Sequence, residues 1–169
     1  KGRGYFEDNN TIRVENEKGQ DFYEFEKAII AIGSKPSLPS AFDLGNKRIM
    51  TSTEALELED IPDSLLVVGG GYIGMELGTV YATLGSKVTV VEALGQLLYG
   101  ADQDLVRPIK KKAESIFEKI KLNTKVSKMA TKGKKIEVTL DSGKKESYDK
   151  ILVSIGRTAN SKNMGIENT

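Results

Sequence analysis

Over the first thirty positions, apolar and polar residues alternate in short stretches broken by turn formers. Gly4-Tyr5-Phe6 runs into Asp8-Asn9-Asn10, Thr11-Ile12-Arg13-Val14 alternates, and Glu17-Lys18-Gly19 precedes Phe22-Tyr23-Glu24-Phe25. Side chains along a strand alternate between its two faces, so this spacing predicts a meander of antiparallel strands. Ala28-Ile29-Ile30-Ala31-Ile32 is apolar at every position, the pattern of a strand covered on both sides. It ends at Gly33-Ser34-Lys35-Pro36 and a looser stretch containing Pro39 and Gly45, the best place in the chain for a domain boundary.

Further on the period changes. Ser52-Thr53-Glu54-Ala55-Leu56 reads as a short capped helix stopped before Ile61-Pro62. Ser64-Leu65-Leu66-Val67-Val68 predicts a buried strand, and after Gly69-Gly70-Gly71 a helix is predicted over 73–84 from Ile73, Leu77, Val80, Tyr81 and Leu84. Gly85 falls where a helix end favours a residue free to take positive φ. Lys87-Val88-Thr89-Val90-Val91 completes a βαβ unit. Leu105, Ile109, Ala113, Ile116 and Ile120 predict an amphipathic helix across 102–120. Pro108 should kink or restart it, because an interior proline forfeits a hydrogen bond at a cost of about 3 kcal/mol. Three more strands are expected near 122–128, 134–140 and 146–155, separated by Lys132-Gly133 and Asp141-Ser142-Gly143. The fold class is therefore α/β: a Rossmann-like domain with a parallel sheet, helices on both of its faces and an antiparallel β-meander.

Composition narrows the chemistry. A chain of 169 residues is one domain, or one with part of another, and 38% hydrophobic with 29% charged residues suits a globular α/β domain. Lys plus Arg number 25 against 24 Asp plus Glu, which lacks the basic footprint of a nucleic-acid binder. No apolar stretch approaches the roughly 20 residues that span a bilayer. Cys is absent, which removes disulfides, thiolate nucleophiles, redox pairs and Cys-based zinc sites. His is absent too, which removes Ser-His-Asp triads, His general bases and His metal sites. Glu17 with Asp21, and Asp102 with Asp104, have no partner that would make a catalytic pair or a metal site, and the basic runs at 110–112 and at Lys132, Lys134 and Lys135 read as solvated faces. Neither a catalytic residue nor a metal site is expected within the chain; the chemistry resides in something it binds. An opening Lys1 in place of Met suggests a piece of a longer protein, although a processed terminus would look the same.

Gly69-Gly70-Gly71-Tyr72-Ile73-Gly74 fits G-x-G-x-x-G with a strand before it, a helix after it and an acidic residue closing the next strand. Gly69 permits the tight turn, Gly71 lets a pyrophosphate approach the backbone, and Gly74 lets helix and strand pack closely; Gly78 keeps the same helix face small. The helix N-terminus offers free N–H groups and about half a positive charge to a diphosphate. Glu92 lies near the ~20-residue spacing expected of a ribose ligand, where it would accept hydrogen bonds from both hydroxyls and repel a 2′-phosphate. NAD is accordingly expected rather than NADP. Tyr72 and Glu76, four apart, share a helix face. For them a structural role and a place at the nicotinamide stand level on the sequence.

These residues resemble the flavin-dependent pyridine nucleotide-disulfide oxidoreductases, most closely the dihydrolipoamide dehydrogenase branch of class I. The similarity runs from Ala28-Ile29-Ile30-Ala31-Ile32-Gly33-Ser34-Lys35-Pro36 through Thr51-Ser52-Thr53-Glu54-Ala55-Leu56, the segment 66–78, Val88-Thr89-Val90-Val91-Glu92 and Lys121-Leu122-Asn123-Thr124-Lys125-Val126 to Ile151-Leu152-Val153-Ser154-Ile155-Gly156-Arg157 and Asn160. The resemblance implies that Gly69, Gly70, Gly71, Tyr72, Ile73, Gly74, Met75, Glu76 and Glu92 hold NAD, with Val126 on the adenine side and Gly156 near the nicotinamide. It implies that Gly4, Ile32, Gly33 and Ser34 touch FAD in a longer enzyme. Ile32 departs from the family's usual Thr or Ala, and the proline expected before Asn160 is Ala159. The resemblance divides the chain into 1–38 from an FAD domain, 39–157 as the NAD domain, and 158–169 returning toward the FAD domain. It implies electron transfer from dihydrolipoyl groups through a disulfide and FAD to NAD, with lipoyl domains of 2-oxo acid dehydrogenase complexes as partners. A homodimer, no nucleic acid, no membrane, and a cytoplasmic or mitochondrial-matrix location go with it. The redox cysteines, the first FAD motif and the C-terminal His-Glu pair are missing, so the chain alone is expected to be inactive. A sister enzyme, such as a soluble transhydrogenase or mercuric reductase, and a stand-alone NAD-binding module remain as alternatives.

Overall fold

The alternating stretches at the start of the chain fold as the antiparallel meander they predict. In this computed structural model, which describes residues 1–169, β1 (Arg3–Phe6) pairs with β2 (Thr11–Asn16), and β2 with β3 (Gly19–Glu24). Asp8 Oδ1 accepts from the Asn10 N–H at 2.8 Å, and Gly19 takes φ +131° in the second turn, where a side chain would be strained. The chain divides into two units, Lys1–Lys35 with Thr158–Thr169, and Pro36–Arg157.

The apolar run at 28–32 is not the covered strand its pattern predicts. It has no regular secondary structure, and Ile29 is 94% exposed. A strand buried on both faces needs a neighbour for its hydrogen-bond ladder and cover above and below. No strand pairs with this run, and the next strand, β4 (Ser34–Pro36), is only three residues long, so the run stays open.

In the second unit, β5 (Ile49–Met50) leads to α1 (Ser52–Glu57), which is closed by a full capping box. The cap is Thr51, whose side chain accepts from the Thr53 N–H, while the Glu54 carboxylate accepts from the Thr51 N–H at 2.7 Å. β6 (Ser64–Val68), α2 (Tyr72–Thr83) and β7 (Lys87–Val91) form the expected βαβ unit, with Gly85 at φ +109° just past the helix end. α3 (Gln103–Ile116) follows, then β8 (Lys119–Lys121), the meander β9 (Val126–Lys132), β10 (Lys135–Leu140) and β11 (Lys145–Tyr148), and finally β12 (Lys150–Val153).

β5, β12, β6, β7 and β8 line up in that order as a five-stranded parallel sheet. Strict alternation divides its side chains. Leu65, Val67, Val88, Val90 and Leu152 face the core shared with Ala55, Met75, Leu77, Tyr81, Val106, Ala113 and Phe117 of the helical side. Leu66, Val68, Val91, Ile151 and Val153 face Met129, Ile136, Val138, Leu140 and Tyr148 of the meander. Helices therefore cover one face only. The expectation of helices on both is corrected: β9–β11 occupy the second face, because their alternating apolar positions supply a complementary flat surface.

Several boundaries also differ from the pattern. α3 buries Val106, Ala113 and Phe117, while Leu105 and Ile109 point to solvent. It ends at Phe117, whose backbone is extended, so Ile120 belongs to β8 and not to a helical stripe. Pro108 neither restarts nor ends α3, which runs continuously past it. The expected strands near 122–128 and 146–155 begin later and split, respectively. Residues 122–125 form a loop, and Asp149 separates a meander strand from the parallel strand β12. The last strand, β13 (Arg157–Ala159), pairs with β4 where the chain passes between the units. No helix is long and apolar enough to cross a membrane.

Candidate functional site

β6 lies between β7 and β12, and the chain leaving β6 crosses over α2 to β7, away from β12, so the order of connection reverses between β6 and β12. In open parallel sheets, ligands bind at this kind of switch point. A cleft of about 600 Å³ opens there, lined by Val68 and Gly69 after β6, Glu92 and Leu94 after β7, Thr124–Val126, and Ser154–Gly156 after β12. Gly71, Tyr72 and Ile73 bring the start of α2 to its wall.

Each glycine of the turn has a measurable reason. At Gly69, φ is +109°, and an added Cβ would stand 2.4 Å from the Ser154 carbonyl oxygen. At Gly74 a Cβ would meet the Gly69 carbonyl oxygen at 2.1 Å and Ser154 Oγ at 2.6 Å, so helix and strand touch through that hydrogen. Gly78 meets Phe117 at 3.2 Å. Gly71 differs: nothing stands within 4 Å of its missing Cβ. It is the N-cap of α2 and caps no amide with a side chain, leaving the first-turn N–H groups without intrahelical partners.

Glu92 is half-buried at the end of β7, and its carboxylate is gripped at both oxygens. Oε2 accepts from the Gly70 N–H at 2.6 Å and Oε1 from the Leu94 N–H at 2.8 Å. Ser154 Oγ lies 3.2 Å from the carbonyl oxygens of both Val68 and Gly69, joining the end of β12 to the glycine turn. The turn is thus fixed from both neighbouring strands.

The expected site residues fall into groups. Gly69, Gly71, Tyr72, Ile73, Glu92, Val126 and Gly156 share the cleft. Gly70 and Gly74 are buried behind it, and Met75 turns its side chain into the core, leaving only its main chain for any ligand. Glu76 is exposed on α2, and Tyr72 is 64% exposed. Gly4 is in β1 opposite Val14, outside this unit. Ile32 and Gly33 have their carbonyl oxygens taken by Asn160, from Nδ2 and from the backbone N–H, both at 3.0 Å, and Ser34 opens β4. Sequence reasoning missed Ser154, Thr124 and Lys125. A hydroxyl just after a strand is a weak signal until the neighbouring strand is known.

A profile of the pyridine nucleotide-disulphide oxidoreductases matches residues 2–169. The chain belongs to this family. Among curated members, dihydrolipoyl dehydrogenase of Staphylococcus aureus is 39% identical over 170 residues, covering 99% of this chain and 36% of its own length. The enzyme of the same name from Vibrio parahaemolyticus is 43% identical over 166 residues, covering 95% and 34%. Two solved structures superpose closely at 28% identity over 99% of this chain and 38% of theirs. They are LpdA from Mycobacterium tuberculosis, with a TM-score of 0.87, and the HOCl-induced flavoprotein disulfide reductase RclA from Escherichia coli, with 0.85. The chain spans about a third of the length of the relatives it matches. The chain therefore shares the family's fold over essentially its whole length.

Proposed function

We propose that the chain is the NAD-binding portion of a flavoprotein dihydrolipoyl dehydrogenase. The observation that carries the reading is a convergence at one cleft: an uncapped helix start beside open space at Gly71, and a strand-end carboxylate already fixed by two amides. The N–H groups of Tyr72, Ile73 and Gly74 are the donors for the diphosphate. Glu92 keeps lone pairs for the two ribose hydroxyls. Pinned by Gly70 and Leu94, it cannot swing away from a 2′-phosphate, so NADP meets a like charge at short range. Val126 lines the adenine side and Gly156 the nicotinamide side, with Tyr72 on the wall and Glu76 exposed one turn further along α2. NAD supplies the hydride-accepting ring when bound; the chain binds, orients and selects.

In the longer protein, Gly4, Ile32, Gly33 and Ser34 contribute to the FAD site, and electrons pass from dihydrolipoyl groups through a disulfide and flavin to NAD. Lipoyl domains are the partners there, and the assembly is a soluble homodimer. Identities of 39–43% with dihydrolipoyl dehydrogenases support the branch. The close superposition on RclA favours a sister flavin disulfide reductase as the second reading. A chain without Cys cannot cycle a disulfide, so alone it is silent toward dihydrolipoamide. Crystals grown with NAD test the site: the diphosphate belongs at the start of α2 and the adenine ribose on Glu92. Assay of the longer protein tests the branch. Reduction of NAD by dihydrolipoamide supports the first reading, and inertness toward dihydrolipoamide with turnover of another disulfide or acceptor supports the second.

A further inference from the structure

Glu92 and the loop after it hold one residue of the glycine turn, Gly70, from three sides, through its N–H, its carbonyl and its Cα. Glu92 Oε2 accepts from the Gly70 N–H at 2.6 Å, and the Leu98 N–H donates to the Gly70 carbonyl oxygen at 2.8 Å. Leu97, 1% exposed, places Cδ2 only 2.6 Å from where a Gly70 Cβ would stand. The loop is held in shape at some expense. Leu98 takes φ +51°, a left-handed conformation that a leucine adopts reluctantly; Asn123, in the loop after β8, takes φ +49°, which an asparagine tolerates. The Asn123 N–H in turn donates to the Leu94 carbonyl oxygen at 3.0 Å. Leu97, Leu98 and Asn123 all lie outside the glycine motif.

We propose that Leu97 is a positioning residue that sets nucleotide specificity: by filling the space against the Gly70 Cα, it holds the Gly70 N–H on the Glu92 carboxylate and keeps that carboxylate aimed at the ribose 2′ position. This rests on the NAD reading above. With Leu97 shortened, the Gly70 peptide is free to rotate, Glu92 loses one of its two anchors, and the carboxylate can withdraw from a 2′-phosphate. Discrimination then falls further than affinity for NAD itself.

The test is a set of NAD and NADP titrations on the chain, each with a melting curve, for wild type, L97A, G70A, the double variant G70A/L97A, and V106A as a core control. The ratio of NADP to NAD dissociation constants should fall about fivefold or more in L97A, the scale of coupling between groups in contact. It should stay at the wild-type value in V106A, which removes a comparably buried side chain of α3 from the same core cluster but not one of those nearest Gly70. In G70A the new methyl meets Leu97 at 2.6 Å and the Glu92 side chain at 3.2–3.3 Å; the double variant relieves the first and closer clash, so the ratio should recover part of the way toward wild type. L97M, near-equal in volume, should keep the ratio if L97A is too unstable to titrate. An unchanged ratio in L97A, or equal loss in V106A, overturns the inference. So does a double variant as poor as the two single effects multiplied. A wild-type chain that binds neither nucleotide overturns the NAD reading instead.

Discussion

Gly71 and Gly74 sit three residues apart in one motif but answer to different forces. Open space surrounds the missing side chain of Gly71, whereas Gly74 rests against the Gly69 carbonyl. Gly71→Val should therefore leave the fold nearly intact, costing at most about 1 kcal/mol for a poorer N-cap, while abolishing measurable nucleotide binding. Gly74→Ala should lower stability by about 3 kcal/mol or more through overpacking against rigid backbone. Melting curves beside NAD titrations separate the two, and loss of stability in the first or wild-type stability in the second would refute these assignments. The glycines and Glu92 were legible in the sequence because their chemistry is carried by residue type at a fixed spacing. Leu97 and Ser154 were not, because each acts on a carbonyl or a Cα far along the chain, and nothing in their own neighbourhood says which.

At the scale of elements, β6, α2 and β7 followed from the pattern because a buried strand and a helix with its glycine stop are locally self-consistent. α3 did not. Its stripe of Leu105 and Ile109 is apolar but faces outward, and the buried stripe through Val106 and Phe117 wins because those side chains meet α2 and the sheet. Residues 28–32 show the same limit: apolarity calls for cover, but cannot supply it. The helical face also depends on a tie the pattern hides, the Tyr81 hydroxyl donating to the Ala55 carbonyl oxygen at 2.9 Å within the core. Tyr81→Phe leaves that buried acceptor unpaired, so denaturant unfolding should show a loss of about 1–2 kcal/mol with no change in NAD affinity. Wild-type stability would mean the tie contributes nothing.

Across the second unit, the meander is fastened to the parallel sheet by charge as well as by apolar contact. Glu146 of β11 receives Lys121 of β8 at 2.5 Å, with Lys144 and the Tyr148 hydroxyl beside it. Burial works to raise the Glu146 pKa, but the hydrogen bonds from Lys121, Tyr148 and Lys144 outweigh it and hold the group at about 2 instead of 4.5. Asp149 is likewise lowered, chiefly by the Ser64 hydroxyl, against the opposing effect of burial. A carboxylate depressed in the folded state stabilises fully above its unfolded value. For Glu146 that stabilisation is lost as pH falls from about 4.5 toward about 2. Glu146→Gln should flatten the acid limb of the melting temperature in that window; an unchanged slope would remove Glu146 from the explanation. The larger functional assignment turns on the cleft at the other end of the sheet. Calorimetric titration of the chain with NAD and with NADP, before and after Glu92→Ala, addresses it most directly. NAD should bind the wild type with NADP at least about tenfold weaker, the scale of one poorly screened like-charge contact, and the variant should lose that preference; equal affinities in the wild type, or a preference that survives the substitution, would contradict it.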